Sequence, residues 1–234
     1  MNPVREWTDK IHAVGAMVIV DGVSYAGHGL PNIDELGVDI YMFSLYKVYG
    51  PHLGVMFMRK AINEKLPNQG HFFNTNYPTA RFTPAGPDHA QIASVNGVID
   101  YFEAVYAHHF GDDEVPASLK TSRVRALFQH TERRNLKPLL SFLSHRQGVH
   151  LVGKDGTKHR APTVSFTVDG RDPADIAAAL ASQKIGIANG NCYAYRLMQA
   201  LDIPPEIGVA RLSFVHYTNR EEIDRLVEAL DQVL

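Results

Sequence analysis

Two residues in the first quarter of the chain have the types and spacing to do amine chemistry together. Lys47 follows the apolar run Ile40-Tyr41-Met42-Phe43, and Gly50, Pro51 and Gly54 turn the backbone sharply straight after it. Asp21 closes an earlier apolar run, Met17-Val18-Ile19-Val20. A lysine amine held out of water has a lowered pKa and becomes a nucleophile toward carbonyl compounds. A carboxylate nearby can keep a ring nitrogen protonated, so that the ring accepts the electrons of a carbanion. Taken one at a time, plainer readings compete. A solvated loop charge is the commoner reading of such a lysine, and a helix or turn cap suits Asp21 equally well.

The elements around them decide whether they can meet. Short continuous apolar runs are the pattern of parallel strands buried on both faces, so residues 17–20, 39–43 and 55–58 read as strands of an α/β sheet. Ligands of such sheets sit at the carboxyl ends of the strands, just where Asp21 and Lys47 fall. An aspartate and a lysine so placed are what is needed to hold pyridoxal phosphate. The spacing of Val4, Trp7, Ile11 and Val14 predicts an amphipathic helix over 4–14, stopped by Gly15. Residues 23–37 form a loop with one helical turn. The stretch 68–87 is too long for an ordinary connection and reads as a functional or subunit-contact loop. Asp88 opens a long helix, with Gln91 at the capping-box position and Ile92, Val95, Ile99, Phe102 and Val105 on one face.

The polar break at 111–116 divides the chain into two expected domains, 1–112 and 113–234. After a second helix to about residue 143, strands are expected at 149–152, 163–167, 185–187 and 209–214. Helices are expected from Asp172-Pro173 to about 182, around 195–201, and after a capping box Thr218-x-x-Glu221, with Ile223, Leu226, Val227 and Leu230 inward. That is a small α+β domain following an α/β one.

Composition narrows the function classes. A formal net charge of −2 over 234 residues offers no electrostatic footprint for nucleic acid or an anionic membrane. No apolar run approaches a membrane span of roughly 20 residues, and the N-terminus has no signal or transit pattern. One cysteine excludes an intrachain disulfide framework, and the twelve histidines are scattered rather than set at metal-ligand spacing. A soluble cytoplasmic protein with no metal centre, no nucleic-acid partner and no membrane partner is the expectation.

The stretch V-D-G-V-S-Y-A-G-H-G-L-P-N-I-D-E-L-G-V-D-I-Y-M-F-S-L-Y-K-V-Y-G-P-H-L-G-V resembles the core of the class V aminotransferase family of fold type I, in its cysteine desulfurase and selenocysteine lyase branch. R-F-T-P-A-G-P-D-H, I-A-N-G-N-C-Y-A-Y-R-L-M and V-A-R-L-S-F-V-H-Y-T-N-R-E-E-I-D-R-L extend the resemblance along nearly the whole chain. It implies a pyridoxal 5'-phosphate enzyme acting on an amino acid or related amine, as a homodimer. The fold implied is part of the fold type I large domain followed by a small C-terminal α+β domain. Lys47 matches the Schiff-base lysine, Asp21 the pyridinium partner, and Ser44 a serine near the cofactor phosphate. Arg211 matches the arginine that grips the substrate carboxylate, and His28 a histidine in the loop after the aspartate.

Several positions depart from the family pattern. Ser24 stands where a glutamine often bonds the cofactor's phenolic oxygen, and Tyr46 where a phosphate-binding histidine usually precedes the lysine. Pro87 falls near a threonine that reaches the neighbouring subunit's phosphate. Tyr193 occupies the place of the desulfurase nucleophile, with Cys192 one position before it. The resemblance therefore implies a desulfurase-like enzyme without the usual catalytic cysteine, whose Tyr193 loop shapes the substrate pocket. A true desulfurase using Cys192 is the alternative. The family's phosphate-binding loop, ring-stacking histidine and substrate-side asparagine lie in a segment with no counterpart here. The chain thus corresponds to the C-terminal part of such an enzyme, and a non-catalytic remnant or oligomerisation module is the remaining reading.

Overall fold

A computed structural model describes residues 1–83, 86–111 and 113–234, which fold as two units, Asn2–Ala126 and Leu127–Leu234, the latter including Met1. Residues 84, 85 and 112, on which the R-F-T-P-A-G-P-D-H segment and the expected boundary at 112 partly rest, lie outside the described residues.

The first unit runs through α1 (Val4–His12), β1 (Ile19–Asp21), α2 (Val23–Ala26), α3 (Ile33–Leu36) and β2 (Ile40–Ser44). A 3-10 turn (Leu45–Lys47), β3 (Gly54–Met58), α4 (Lys60–Lys65) and α5 (His89–Phe110) follow, and α6 (Ala117–His145) leads into the second unit. The strand order is β1-β2-β3. β1 and β2 are parallel, with Ile19 opposite Ile40 and Asp21 opposite Met42, so their carboxyl ends lie side by side. β3 returns antiparallel, Ser44 facing Gly54, because the connection is too short for the crossover that a parallel return requires.

Burial differs from the expected pattern in two places. β1 is covered on one face only: Val18 and Val20 pack with Val38 and Tyr41, with Val4 and Ile11 of α1 and with Ile33 and Leu36 of α3, whereas Met17 and Ile19 are more than half exposed; in β2 the successive residues Ile40 and Tyr41 are both buried. An apolar run shows that its residues can be buried, and only the neighbouring elements determine how many faces are. The inward stripe of α1 is also rotated. Thr8 is buried, its hydroxyl donating to Val4 O at 2.9 Å, while Trp7 and Val14 face solvent. Thr8 lies beside the Gly37 that closes α3, where a Cβ on Gly37 would be 3.5 Å from Thr8 Cγ2. In α5 the buried residues are Val98, Phe102 and Tyr106, with Ile92 and Ile99 exposed.

Asp39 ties α1 to the sheet. Its Oδ2 accepts the Val18 amide at 2.7 Å and faces His12 Nε2 at 2.9 Å. Burial pushes this carboxyl up, but the hydrogen bonds from Val18 and His12 and the charges of His12 and Arg59 outweigh it, holding the group below the usual carboxylate range. A carboxyl with a depressed folded pKa adds stability that is complete above its unfolded value of about 3.9 and is lost as pH falls through the folded one. Asp39→Asn is expected to cost about 1–3 kcal/mol at neutral pH, with the gap to wild type closing in acid. Urea denaturation at neutral and acid pH measures both, and an equal gap at the two would sink the electrostatic account.

The second unit continues with β4 (Val149–Val152), β5 (Thr163–Val168), α7 (Pro173–Ser182), β6 (Ala188–Gly190), α8 (Tyr195–Ala200), β7 (Val209–Ser213) and α9 (Arg220–Val233). Its sheet is antiparallel throughout, in the order β4-β5-β7-β6. Val164 and Phe166 of β5 and Ala210 and Leu212 of β7 alternate inward, as a one-sided sheet requires. They meet Leu136, Leu139, Leu140 and Leu143 of α6, Ile176 and Leu180 of α7, and Leu226 and Leu230 of α9. Ile185 and Ile187, expected as a strand, instead flank this core just before β6. Asp172 caps α7 by accepting the Ala174 amide at 2.8 Å, with Pro173 in its first turn. The final capping box is Asn219 with Glu222, one residue beyond the expected pair. Among the described residues no helix is long and apolar enough to cross a membrane.

Candidate functional site

Lys47 stands on a turn that is braced on every side but its own. The Leu45 amide donates to Leu53 O at 2.8 Å, and the Val48 and Gly50 amides return to Leu45 O at 2.8 and 2.9 Å. Leu45 and Val48 are buried and anchor the turn, which leaves Tyr46 and Lys47 exposed between them. Tyr49 adopts a left-handed φ of 68°, and its hydroxyl donates to Gly27 O at 2.9 Å. Its ring meets Tyr101 of α5 at 5.3 Å, edge on. A Cβ on Gly50 would come within 2.9 Å of Val98 Cγ2, so glycine lets α5 press against the turn. Among the described residues Lys47 has no ion-pair or hydrogen-bond partner; its Nζ lies 5.5 Å from the Tyr46 ring centroid.

Asp21 ends the neighbouring parallel strand. Its Oδ1 accepts the Val23 amide at 2.9 Å, so it does cap the turn into α2, while among the described residues Oδ2 has no hydrogen-bond partner. The Gly22 amide donates to Met42 O at 2.7 Å, carrying the ladder one residue past β1. Tyr41 packs its ring on this turn: a Cβ on Gly22 would fall 1.9 Å from the Tyr41 hydroxyl. Burial, then the fields of Tyr25 and Asp21, push that phenol up to about 12, so it stays neutral beside the carboxylate. Gly27 completes the junction. A Cβ there would lie 2.7 Å from Lys47 O, so only glycine lets the loop after α2 touch the lysine turn.

The structure therefore brings Asp21 and Lys47 to one edge of one sheet. Ser44 is half-buried at the end of β2, directly before the turn, and Tyr46 is on it. Ser24 is exposed on α2, and His28 is buried in the loop that Gly27 begins. Gly27, Tyr41 and His52 were not singled out from sequence. The close approach that requires Gly27 is a tertiary fact, and Tyr41 and His52 read there as ordinary strand and loop residues.

Arg211 and Tyr193 belong to the second unit. Arg211 lies on β7 between Ser165 of β5 and Ala188 of β6. Its Nε is buried with no hydrogen-bond partner among the described residues, a costly condition for a guanidinium that a ligand carboxylate would relieve. Two residues along the ladder, β6 ends at Gly190, and a tight loop follows in which Cys192 and Tyr193 have φ of 51° and 64°. Asn191 braces it, its Nδ2 donating to Pro205 O at 3.2 Å and its Oδ1 accepting the Tyr193 amide at 3.0 Å. Tyr193 is fully exposed, whereas Cys192 is half-buried with its Sγ 3.7 Å from Gly190 O.

These donor sets fit pyridoxal phosphate in their chemistry: an unpaired amine, a carboxylate with one open oxygen on the adjacent parallel strand, and hydroxyls at Ser44 and Tyr46. Among the described residues no three His, Cys, Asp or Glu side chains gather as a metal site needs.

The chain is 32% identical over 240 residues to the aminotransferase-like protein FGM3 of Gibberella zeae, covering 100% of this chain and 56% of that protein. It is 30% identical over 234 residues to a probable cysteine desulfurase of Pseudomonas putida, covering 95% and 52%. An apo structure of a cysteine desulfurase from Thermococcus onnurineus superposes with a TM-score of 0.81 at 24% identity, over 99% of this chain and 56% of that one. The chain thus spans about half the length of the relatives it matches. The profile of the aminotransferase class-V family covers residues 1–112 and 118–226. That match runs through the Asp21 and Lys47 strands and on through Arg211 in β7, and the chain belongs to the aminotransferase class-V family.

Proposed function

We propose that this chain carries the lysine-bearing part of a pyridoxal-phosphate enzyme, desulfurase-like, that acts on an amino acid or related amine. One observation carries the reading: Lys47, unpaired among the described residues, and Asp21, with one oxygen unpartnered among them, stand at the carboxyl ends of neighbouring parallel strands. Bound pyridoxal phosphate supplies an electron sink for the pair released at the substrate Cα. Lys47 holds the cofactor through Nζ and then moves the proton at that carbon. Asp21 Oδ2 holds the proton on the ring nitrogen, and Tyr41 and the Gly22 turn keep the carboxylate in place. Ser24, Ser44 and Tyr46 are assigned to the cofactor, His28 and Tyr193 to the substrate, and Arg211 to its carboxylate through a bidentate fork. The family resemblance supports a homodimer in the cytoplasm, with functional domains 1–112 and 113–234.

The 190–194 loop favours chemistry without sulfur transfer, because it turns Tyr193 outward and Cys192 toward Gly190 O. The direct test adds pyridoxal phosphate to the chain, records visible absorbance, and maps the borohydride-reduced adduct by peptide mass spectrometry. A single adduct at Lys47 is the expected result. An adduct spread over surface lysines, or none, would overturn the proposal.

A further inference from the structure

Between α8 and β7 the chain closes into a short strap over residues 202–208, where Pro204 O accepts the Ile207 and Gly208 amides at 3.0 and 2.8 Å. The strap braces the loop that carries Tyr193: Gly208 lies against the Gly190 backbone, and Pro205 O accepts Asn191 Nδ2 at 3.2 Å. It also walls an open cavity of about 240 Å³, completed by the end of β5 and the start of α7. Val168, Pro173, Ile203 and Ile207 give this cavity apolar sides, and Arg171 and Asp202 give it one charge of each sign. None of the residues assigned above to the cofactor or the substrate lines it.

The two charges are held by the backbone but not by each other. A tight turn presents Arg171, whose amide donates to Val168 O at 3.1 Å and whose Nη1 donates to Val233 O at 3.1 Å. Asp202 has a left-handed φ of 56°, fixed by its amide donating to Gln199 O at 3.1 Å. Among the described residues neither side chain pairs with an opposite charge, and the Asp202 carboxylate has no hydrogen-bond partner. Opposite charges that line one cavity without pairing are complementary to a zwitterion, which offers a carboxylate to the guanidinium and an ammonium to the acid. The apolar sides suit a short aliphatic body between those two groups. The volume is below the roughly 300–1,000 Å³ of sites for drug-sized ligands, so the ligand is small. A free α-amino acid with a short aliphatic side chain meets all three conditions.

We propose that this cavity binds such an amino acid, carboxylate on Arg171 and ammonium on Asp202, and that its occupancy steadies the strap bracing the Tyr193 loop. The site is independent of the cofactor reading and is tested without pyridoxal phosphate, so either can fail without the other. Isothermal titration calorimetry of the full chain with L-valine is expected to show saturable binding. Isovalerate, which lacks the ammonium, and isobutylamine, which lacks the carboxylate, are each expected to bind at least about tenfold more weakly. Arg171→Gln and Asp202→Asn should each weaken valine about tenfold, the low end for a hydrogen bond to a charged group because both side chains are open to water. Asparagine tolerates the left-handed backbone at 202, and both variants should unfold at the wild-type urea midpoint, so the loss is one of binding. Amide hydrogen exchange should slow at 202–208 and at 190–194 when valine saturates the chain. No saturable binding, equal binding of either analogue, or wild-type affinity in either variant would overturn the site. Slowed exchange at 202–208 with none at 190–194 would overturn the coupling to the loop.

Discussion

Lys47→Ala is expected to abolish aldehyde capture at this site and to lower any turnover of amine substrates by more than about a thousandfold, the scale seen when a covalent nucleophile is removed. The fold should survive, because the turn is held by Leu45, Val48, Tyr49 and Gly50, whose contacts do not involve the lysine side chain. Lys47→Arg is the sharper control. It keeps a positive charge beside Tyr46 but has no amine that can condense with an aldehyde, so it should fail as completely as alanine. Absorbance titration with pyridoxal phosphate and the mass of the borohydride-reduced chain decide the matter. Retained capture in either variant would mean that another lysine does the chemistry, and that the Asp21–Lys47 geometry is incidental.

Gly208→Ala is expected to be the most damaging single methyl group in the second unit. Gly208 has φ of +71°, and a Cβ built there would lie 2.0 Å from the Gly190 carbonyl carbon, 2.2 Å from its oxygen and 2.5 Å from the Asn191 nitrogen. All three neighbours are backbone and cannot rotate aside. Left-handed strain adds to overpacking, so a loss of roughly 2–4 kcal/mol follows. The chain would have to part where Gly190 pairs with Val209, which disturbs the loop bearing Cys192 and Tyr193 and the β7 ladder leading to Arg211. Urea denaturation followed by circular dichroism measures the loss. A change within about 0.5 kcal/mol, typical of surface sites, would show that the loop yields more easily than its contacts imply.

Local signals survived into the structure where one residue type answers one local need. Asp172-Pro173 and Asp88 are helix starts because a carboxylate satisfies an orphan amide within three residues. The final helix shows the limit of such signals. Thr218 and Asn219 are both good caps, each with a glutamate three residues on, and their local preferences are close. In the fold, Asn135 Nδ2 donates to Thr218 O at 2.6 Å, and the cap is Asn219. The stripes on α1 and α5 were misplaced for a related reason. Hydrophobicity ranks Trp7 above Thr8, yet Thr8 is the residue that α1 buries while Trp7 faces solvent.

By itself the sequence determined the α/β character of the first part, the two strand ends that carry Asp21 and Lys47, and a family pattern specific enough to number the candidate site. Those are properties of order along the chain. Tertiary structure alone decided the register that sets Asp21 opposite Met42, that Gly27 touches the lysine turn, that Tyr41 closes over Gly22 beside Asp21, and that His52 stacks on Tyr46. Each of these is a distance between residues apart in the chain, set by which backbones can approach and which rings fill the space between them. Sequence could name a candidate amine; only packing could show what holds its turn in place.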